Sequence, residues 1–360
     1  MRTRKNLCLA ALCLATVGLH LLTVATGTQF YLIQLTMAAY YGLVVIGLGV
    51  LMGYAGQISI GHAGFFAIGG FVAAALTTRN LLPFLDTPLV RTLDGLGLLV
   101  NGQDIYGEAL LTVTPWAACG LAVSLAALVA LVIGVPVLKL KGHYLAMATL
   151  GFGTIVYRLL LASPYFGEAD GIAEVPAFVL LPDLGGFGPV VVSGGADHRV
   201  LNFYVAWGTL IIGMTLLLNL IGSRFGRALR SLHSSEEAAE ASGIATARCK
   251  LQVFVLSAVY AAVAGVLLTH FNGGIGPGEA SVMKSVRYVA LVAVGGMTNL
   301  WGTLIMGVGL TFLSLRGVFG ALDDMVFGVI LIAVMLFAPQ GLLGLRLKEL
   351  ARRLGRRGRS

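Results

Sequence analysis

Residues 222–250 read GSRFGRALRSLHSSEEAAEASGIATARCK. They form a long polar, charged segment between two strongly apolar runs, Leu201–Ile221 and Leu251–Thr269. Ser234 and Ser235 are both helix-capping residues. Glu236 and Glu237 then fall in a first helical turn, where negative charge suits the macrodipole. Ala238, Ala239 and Ala241 favour helix. Gly243 stands where a helix commonly stops. The expectation is a short helix hung between two membrane spans. In isolation it is too short to be stable, so something outside it must hold it.

The composition agrees with a membrane setting. Of 360 residues, 58% are hydrophobic and only 11% charged, against about 25% charged in a soluble domain. The mean hydropathy is +0.91, and several apolar runs approach the ~20 residues a crossing helix needs. The 49 glycines suit helices that pack closely or break. Cys8, Cys13, Cys119 and Cys249 form no CxxC pair and read as core filler rather than metal or disulfide residues. The six histidines are scattered. No glycine is followed by lysine, so the chain lacks a phosphate-cradling P-loop.

Taken in order, the apolar runs give an all-α, polytopic bundle of about ten spans. Met1–Lys5 is basic and leads into Leu7–Ala25. Residues 1–26 read as a retained first helix, with a cleaved signal peptide as the alternative. Spans follow at Tyr31–Met52, Ile58–Leu76, Trp116–Leu138, His143–Ala162, Leu201–Ile221 and Leu251–Thr269. Shorter ones follow at Ser285–Met297, Leu300–Leu315 and Met325–Ala338. Polar loops are expected at 77–114 and 163–200. The transmembrane domain covers 27–345, and 346–360 is a basic tail. Helix, Gly-rich link, helix occurs at Tyr40–Gly70 and again at Val286–Gly309, which suggests an internal repeat of the kind common in transporters.

Charge sets sidedness. With ten spans, one side holds 17 of the 24 Lys and Arg residues, in 1–5, 139–141, 222–250 and the tail. The other side holds 12 of the 16 acidic residues. Both termini and segment 222–250 therefore face the cytoplasm. The positive charge lies in short stretches facing anionic lipid, which disposes of a nucleic-acid role.

Two further stretches carry polar groups inside apolar runs. GYAGQISIGHAGFFAIGG, residues 53–70, places Gln57, Ser59 and His62 among glycines. Polar groups at membrane depth face protein or a water-filled cavity. The segment either lines a translocation pathway or holds the bundle together by hydrogen bonds. KLKGHYLAMATLGFG, residues 139–153, follows a link at Gly142, with Tyr144 and Thr149 as inward candidates. Carboxylates at Glu168 and Asp170 lie on the outer side, as a docking charge or as solvated residues. Lys284, Arg287 and Arg158 read as snorkelling side chains near the outer interface. Carboxylates are scarce in the spans. That scarcity argues against a membrane hydrolase and against an ion-coupled secondary transporter, the alternative class.

Glu237-Ala238-Ala239, three residues, then Gly243 resembles the EAA-x3-G cytoplasmic loop of ABC import permeases. The flanking GRALRS and KLQVFVLSAVYAAVAG, with residues 53–70 and 139–153, resemble the branched-chain amino acid permease family, in particular its LivM-type subunit. The likeness covers roughly residues 35–340. In the 168–172 loop only Gly171 and Ile172 agree with the family pattern. The resemblance implies a permease subunit that translocates branched-chain amino acids by alternating access, with urea and short amides as alternative solutes. It implies coupling to the ATPase through Arg227, Glu236, Glu237, Ala238, Ala239 and Gly243. It also implies a LivH-type second permease, two ATPase subunits that bind ATP and Mg, and a soluble solute-binding protein.

A cysteine introduced at Ala238 is expected to react with a membrane-impermeant thiol reagent only in inside-out vesicles. Labelling from the outer face alone would overturn the sidedness.

Overall fold

The computed structural model describes residues 2–95, 97–103, 107, 109–140, 142–182 and 188–337. The basic tail at 346–360 lies outside the described residues, as do Asp104, Glu108, Lys141 and Asp183. Thirteen α-helices are described: α1 (Arg2–Ala25), α2 (Tyr31–Ala55), α3 (His62–Thr78), α4 (Pro88–Gly95), α5 (Pro115–Val137), α6 (His143–Ala162), α7 (Arg199–Gly222), α8 (Arg224–Ser234), α9 (Glu236–Ala241), α10 (Thr246–Asn272), α11 (Val282–Gly295), α12 (Leu300–Leu315) and α13 (Asp323–Phe337). Six helical segments are at least 18 residues long and apolar enough to cross a membrane: Asn6–Ala25, Tyr31–Ala55, Pro115–Val137, His143–Ala162, Ala196–Gly222 and Thr246–Asn272. The protein is a multi-pass membrane protein. Helices α3, α11, α12 and α13 are shorter, at 17, 14, 16 and 15 residues.

Helix α2 is the hub. In its most apolar 18-residue window 94% of residues are buried, against 11% in α1, which lies at the periphery. Helices α7, α10 and α12 pack around α2. Helix α5 presents Ala118, Ala122, Ala126, Ala130 and Gly134 as a buried stripe at every fourth position, and α3 and α10 lie against α5. That spacing puts small residues on one helix face, so backbones approach closely.

Helices α3 and α10 approach closely. A Cβ on Gly265 would lie 2.1 Å from the Phe66 carbonyl oxygen, and one on Gly69 would lie 2.3 Å from that of Ala262. In lipid, where apolar burial does not drive helices together, such contact is a main source of association.

Two expectations are corrected. The expected all-α chain carries three two-stranded antiparallel sheets in its connections. Strand β1 (Leu99–Gln103) pairs with β2 (Ala109–Val113), β3 (Ile172–Ala173) with β6 (Gly274–Ile275), and β4 (Phe178–Leu181) with β5 (Val190–Val192). The polar loop expected at 77–114 therefore holds α4 and a hairpin. That hairpin buries Leu111 and Val113, side chains two residues apart on one face. The span expected to begin at Ile58 begins at His62, because α2 runs on to Ala55 and ends at Gly56 with φ +67. A left-handed C-cap of this kind favours glycine.

Gly265→Val is expected to prevent stable assembly or to cost the upper end of ~1–3 kcal/mol. Gly208→Ala, where a Cβ meets nothing within 4 Å, is expected to be neutral or slightly stabilising. Thermal unfolding of the detergent-purified protein measures both.

Candidate functional site

Segment 222–250 folds as two helices rather than one. The Ser223 hydroxyl caps α8 by accepting from Gly226 N–H at 3.4 Å. The Ser235 hydroxyl caps α9 by accepting from Ala238 N–H at 3.3 Å. Ser234 is not a cap; it ends α8 and donates to the Arg230 carbonyl at 3.0 Å. Gly243 adopts φ +79 just after α9.

Tertiary contacts stabilise the six-residue α9. The Glu236 carboxylate accepts from Lys250 Nζ, and that of Glu240 accepts from Thr246 Oγ1 at 2.6 Å. Both partners lie in the first turns of α10. Ala239 is fully buried, while Arg227, Glu237, Ala238 and Gly243 are exposed. Of the six residues read as a coupling patch, four thus face outward, and Ala239 and Glu236 anchor the helix.

A cavity of about 170 Å³ joins this patch to the α2–α3 break. It is lined by Gln57, His233, Glu236 and Lys250, among others. Gln57 is buried, and neither of its side-chain amide atoms has a hydrogen-bond partner among the described residues. A Cβ on Gly56 would lie 2.9 Å from His233 Nδ1.

Deeper along the break, polar side chains hold backbone. The Ile60 N–H donates to Thr149 Oγ1 of α6 at 3.0 Å, and the Ala63 N–H donates to Ser285 Oγ of α11 at 3.2 Å. His62 is fully buried, with Nδ1 3.0 Å from Ser59 Oγ and Nε2 2.7 Å from Ser257 Oγ of α10. A neutral imidazole needs one donor and one acceptor, and two hydroxyls supply either. Of the pathway candidates, Ser59, His62 and Thr149 therefore converge inside the bundle as interhelical ties. Gln57 lies at the cavity, and Tyr144 stands apart on an outer face, 71% exposed.

A charged cluster escaped the sequence reading. Lys284 Nζ donates to Glu279 Oε1 at 2.9 Å and to Tyr41 Oη at 3.1 Å. The Tyr41 hydroxyl lies 3.1 Å from both Glu279 oxygens. Arg287 Nη2 lies 2.6 Å from Asp323 Oδ2 and 2.7 Å from Asp324 Oδ1, and Nη1 donates to Ser314 Oγ at 3.1 Å. Lys284 and Arg287 are thus paired with carboxylates, not snorkelling. A signal was present in the sequence: Gly276-Pro277-Gly278 breaks the chain just before Glu279, in a protein whose apolar segments hold few acids. The partners at Asp323 and Asp324 are 36 and 37 positions from Arg287, beyond any local pattern.

The loop at 163–200 supports this cluster. Gly171 has φ +74, and a Cβ there would lie 2.2 Å from the Ile275 carbonyl oxygen. Ile172 pairs with Ile275 in the β3–β6 ladder. The two residues that matched the family pattern in that loop are those that pin the strand leading down to Glu279.

Residues 30–335 match the family model described as branched-chain amino acid transport system / permease component. The chain belongs to this family. It is 29% identical over 338 residues to the high-affinity branched-chain amino acid transport system permease protein LivM of Salmonella typhimurium, covering 89% of this chain and 71% of that protein. It is 28% identical to LivM of Escherichia coli, covering 86% and 68%. It is 26% identical to LivH of Salmonella typhimurium, covering 86% and 92%. No solved structure gives a significant match. The family and these relatives support the LivM type read from the loop.

Thr149→Val keeps the side-chain shape but removes the acceptor of the half-buried Ile60 N–H. It is expected to cost ~1–3 kcal/mol, read as a lower Tm of the purified permease.

Proposed function

We propose that this chain is the LivM-type permease subunit of an ATP-driven importer for leucine, isoleucine and valine. The observation that carries it is the α9 patch. It presents exposed Glu237, Ala238 and Gly243 while Glu236 and Glu240 tie it to α10. A helix built this way transmits force. A partner gripping its outer face moves α9 as a body, the Glu236–Lys250 and Glu240–Thr246 contacts carry the motion into α10, and His233 bears on Gly56 at the end of α2. Helix α10 lies along α3, so the displacement reaches the centre of the bundle.

In this reading ten helices cross or enter the membrane: the six long ones and α3, α11, α12 and α13. Both termini, α8 and α9 lie on the cytoplasmic side of a bacterial inner membrane. Two cytoplasmic ATPase subunits supply ATP and Mg chemistry, and this chain supplies the mechanical coupling. A LivH-type subunit completes the pathway, and a soluble binding protein delivers the solute on the outer side. The proposed internal repeat rests on helix, glycine break, helix at α2–α3 and at α11–α12. The two breaks touch: the Tyr54 hydroxyl donates to the Thr298 carbonyl at 3.0 Å.

The pairing seen at Glu236 selects the variant. Glu236 is engaged with Lys250, so reversing it disturbs the fold as well as the surface. Glu237→Arg is expected to leave the permease inserted with unchanged Tm, and to reduce ATPase co-purification and leucine uptake at least tenfold. Unchanged association and uptake would sink the coupling role. Urea uptake without leucine uptake by the parent assembly would move the chain to the other solute class.

A further inference from the structure

We propose that the first turns of α11 form a carboxylate-binding subsite for the transported amino acid, with Glu279 receiving its ammonium group. The proposal rests on the amino-acid importer reading and adds to it the place where the solute is held.

A cavity of about 30 Å³ lies between α2, α11 and α12, lined by Tyr41, Lys284, Arg287, Tyr288, Thr311 and Ser314, with Leu291 and Leu315. At roughly 10–15 Å³ for one water-sized group, it has room for about two, as many as the oxygens of a carboxylate. Two of its lining residues are cations and none is an acid. Three buried groups have no hydrogen-bond partner among the described residues: Arg287 Nε, the Tyr288 hydroxyl and the Thr311 hydroxyl. Tyr288 is 1% exposed and Thr311 6%. All three can donate a hydrogen bond. Buried donors left unpaired cost free energy, and here they stand beside Lys284 and Arg287, which are themselves paired with Glu279, Asp323 and Asp324. An anion with two acceptor oxygens answers all of them.

The position fits a transported solute. Tyr41 is ten residues, about 15 Å, inside α2 from its Tyr31 end. Residues 273–281 carry the chain from the end of α10 down to this level, and α11 runs on from there. Interrupted helices of this sort are where transporters hold substrate. Lys284 and Glu279 keep 26% and 23% of their side chains exposed, whereas Tyr288 is buried.

The ion pair is suited to exchange. Lys284 and Glu279 neutralise one another. A zwitterion offers a carboxylate to Lys284 and an ammonium to Glu279, so both charges stay paired as it enters.

The test uses the assembled importer in proteoliposomes with its binding protein, and reads initial leucine uptake, ATP hydrolysis and Tm. In the double variant Tyr288→Phe with Thr311→Val, uptake is expected to fall at least tenfold, with hydrolysis retained and Tm unchanged or raised, since unpaired buried hydroxyls are removed. A purely structural cluster predicts the same Tm and parental uptake, and that result would overturn the site. The exchange Glu279→Lys with Lys284→Glu keeps an ion pair and reverses its polarity. It is expected to lose uptake, and parental uptake in it would also overturn the site. If the parent carries no leucine, isoleucine or valine, the importer assignment fails separately, and the same variants are read with whichever solute it does carry. Carriage of uncharged solutes alone would overturn the subsite too.

Discussion

A helix that starts inside an apolar bundle exposes backbone N–H groups that water does not reach, and those donors have to be paired by protein. Helix α3 starts in this way. Its approach and first turn are held by Thr149 of α6, by Ser285 of α11 and by the Gly61 carbonyl, which accepts from Gly64 N–H at 3.0 Å. His62 then joins the same turn to α10 through Ser257. Four helices are thereby fixed to one another around a single break. The close α3–α10 contact, and the placing of α11 beside α2, follow from it.

The same constraint explains the polar residues of segment 53–70. In an apolar surrounding, a hydroxyl or imidazole that closes a backbone hydrogen bond contributes more by preventing an orphaned donor than by the bond itself. Thr149 and Ser285 are used in this way, while Ser59 and His62 pair with one another and His62 with Ser257. Gln57 differs from them: it lines the cavity with His233 and Lys250, and its amide atoms have no partner among the described residues. The polar groups thus fall into two clusters: one lies between the α9 patch and the α2–α3 break, and the other, around the Glu279–Lys284 pair, lies at the head of α11.

The charged cluster shows how a low-dielectric setting tolerates ionised groups. Each cation meets a carboxylate within hydrogen-bonding distance, and Ser314 donates to Asp323 at 2.7 Å to complete the second pair. Removing one partner from such a pair is expensive, because the other is left uncompensated. In the proposed subsite, a solute of matching charges enters without leaving a bare ion.

The sequence alone determined the membrane class, the helix boundaries to within a few residues, and the family. Those features are local: apolar run length, a serine cap three residues before an amide, a glycine at a left-handed stop. It misjudged the start of α3, since nothing in residues 53–61 says where a glycine-rich link ends, and it missed the hairpins in the connections. Only the tertiary structure decided which polar residues are ties and which are free. His62 meets Ser257 across nearly two hundred positions, and Arg287 meets Asp323 and Asp324 across a whole helix hairpin. Hydrogen bonds and ion pairs depend on distances of about 3 Å between groups that chain order leaves unrelated, so packing alone brings them within reach.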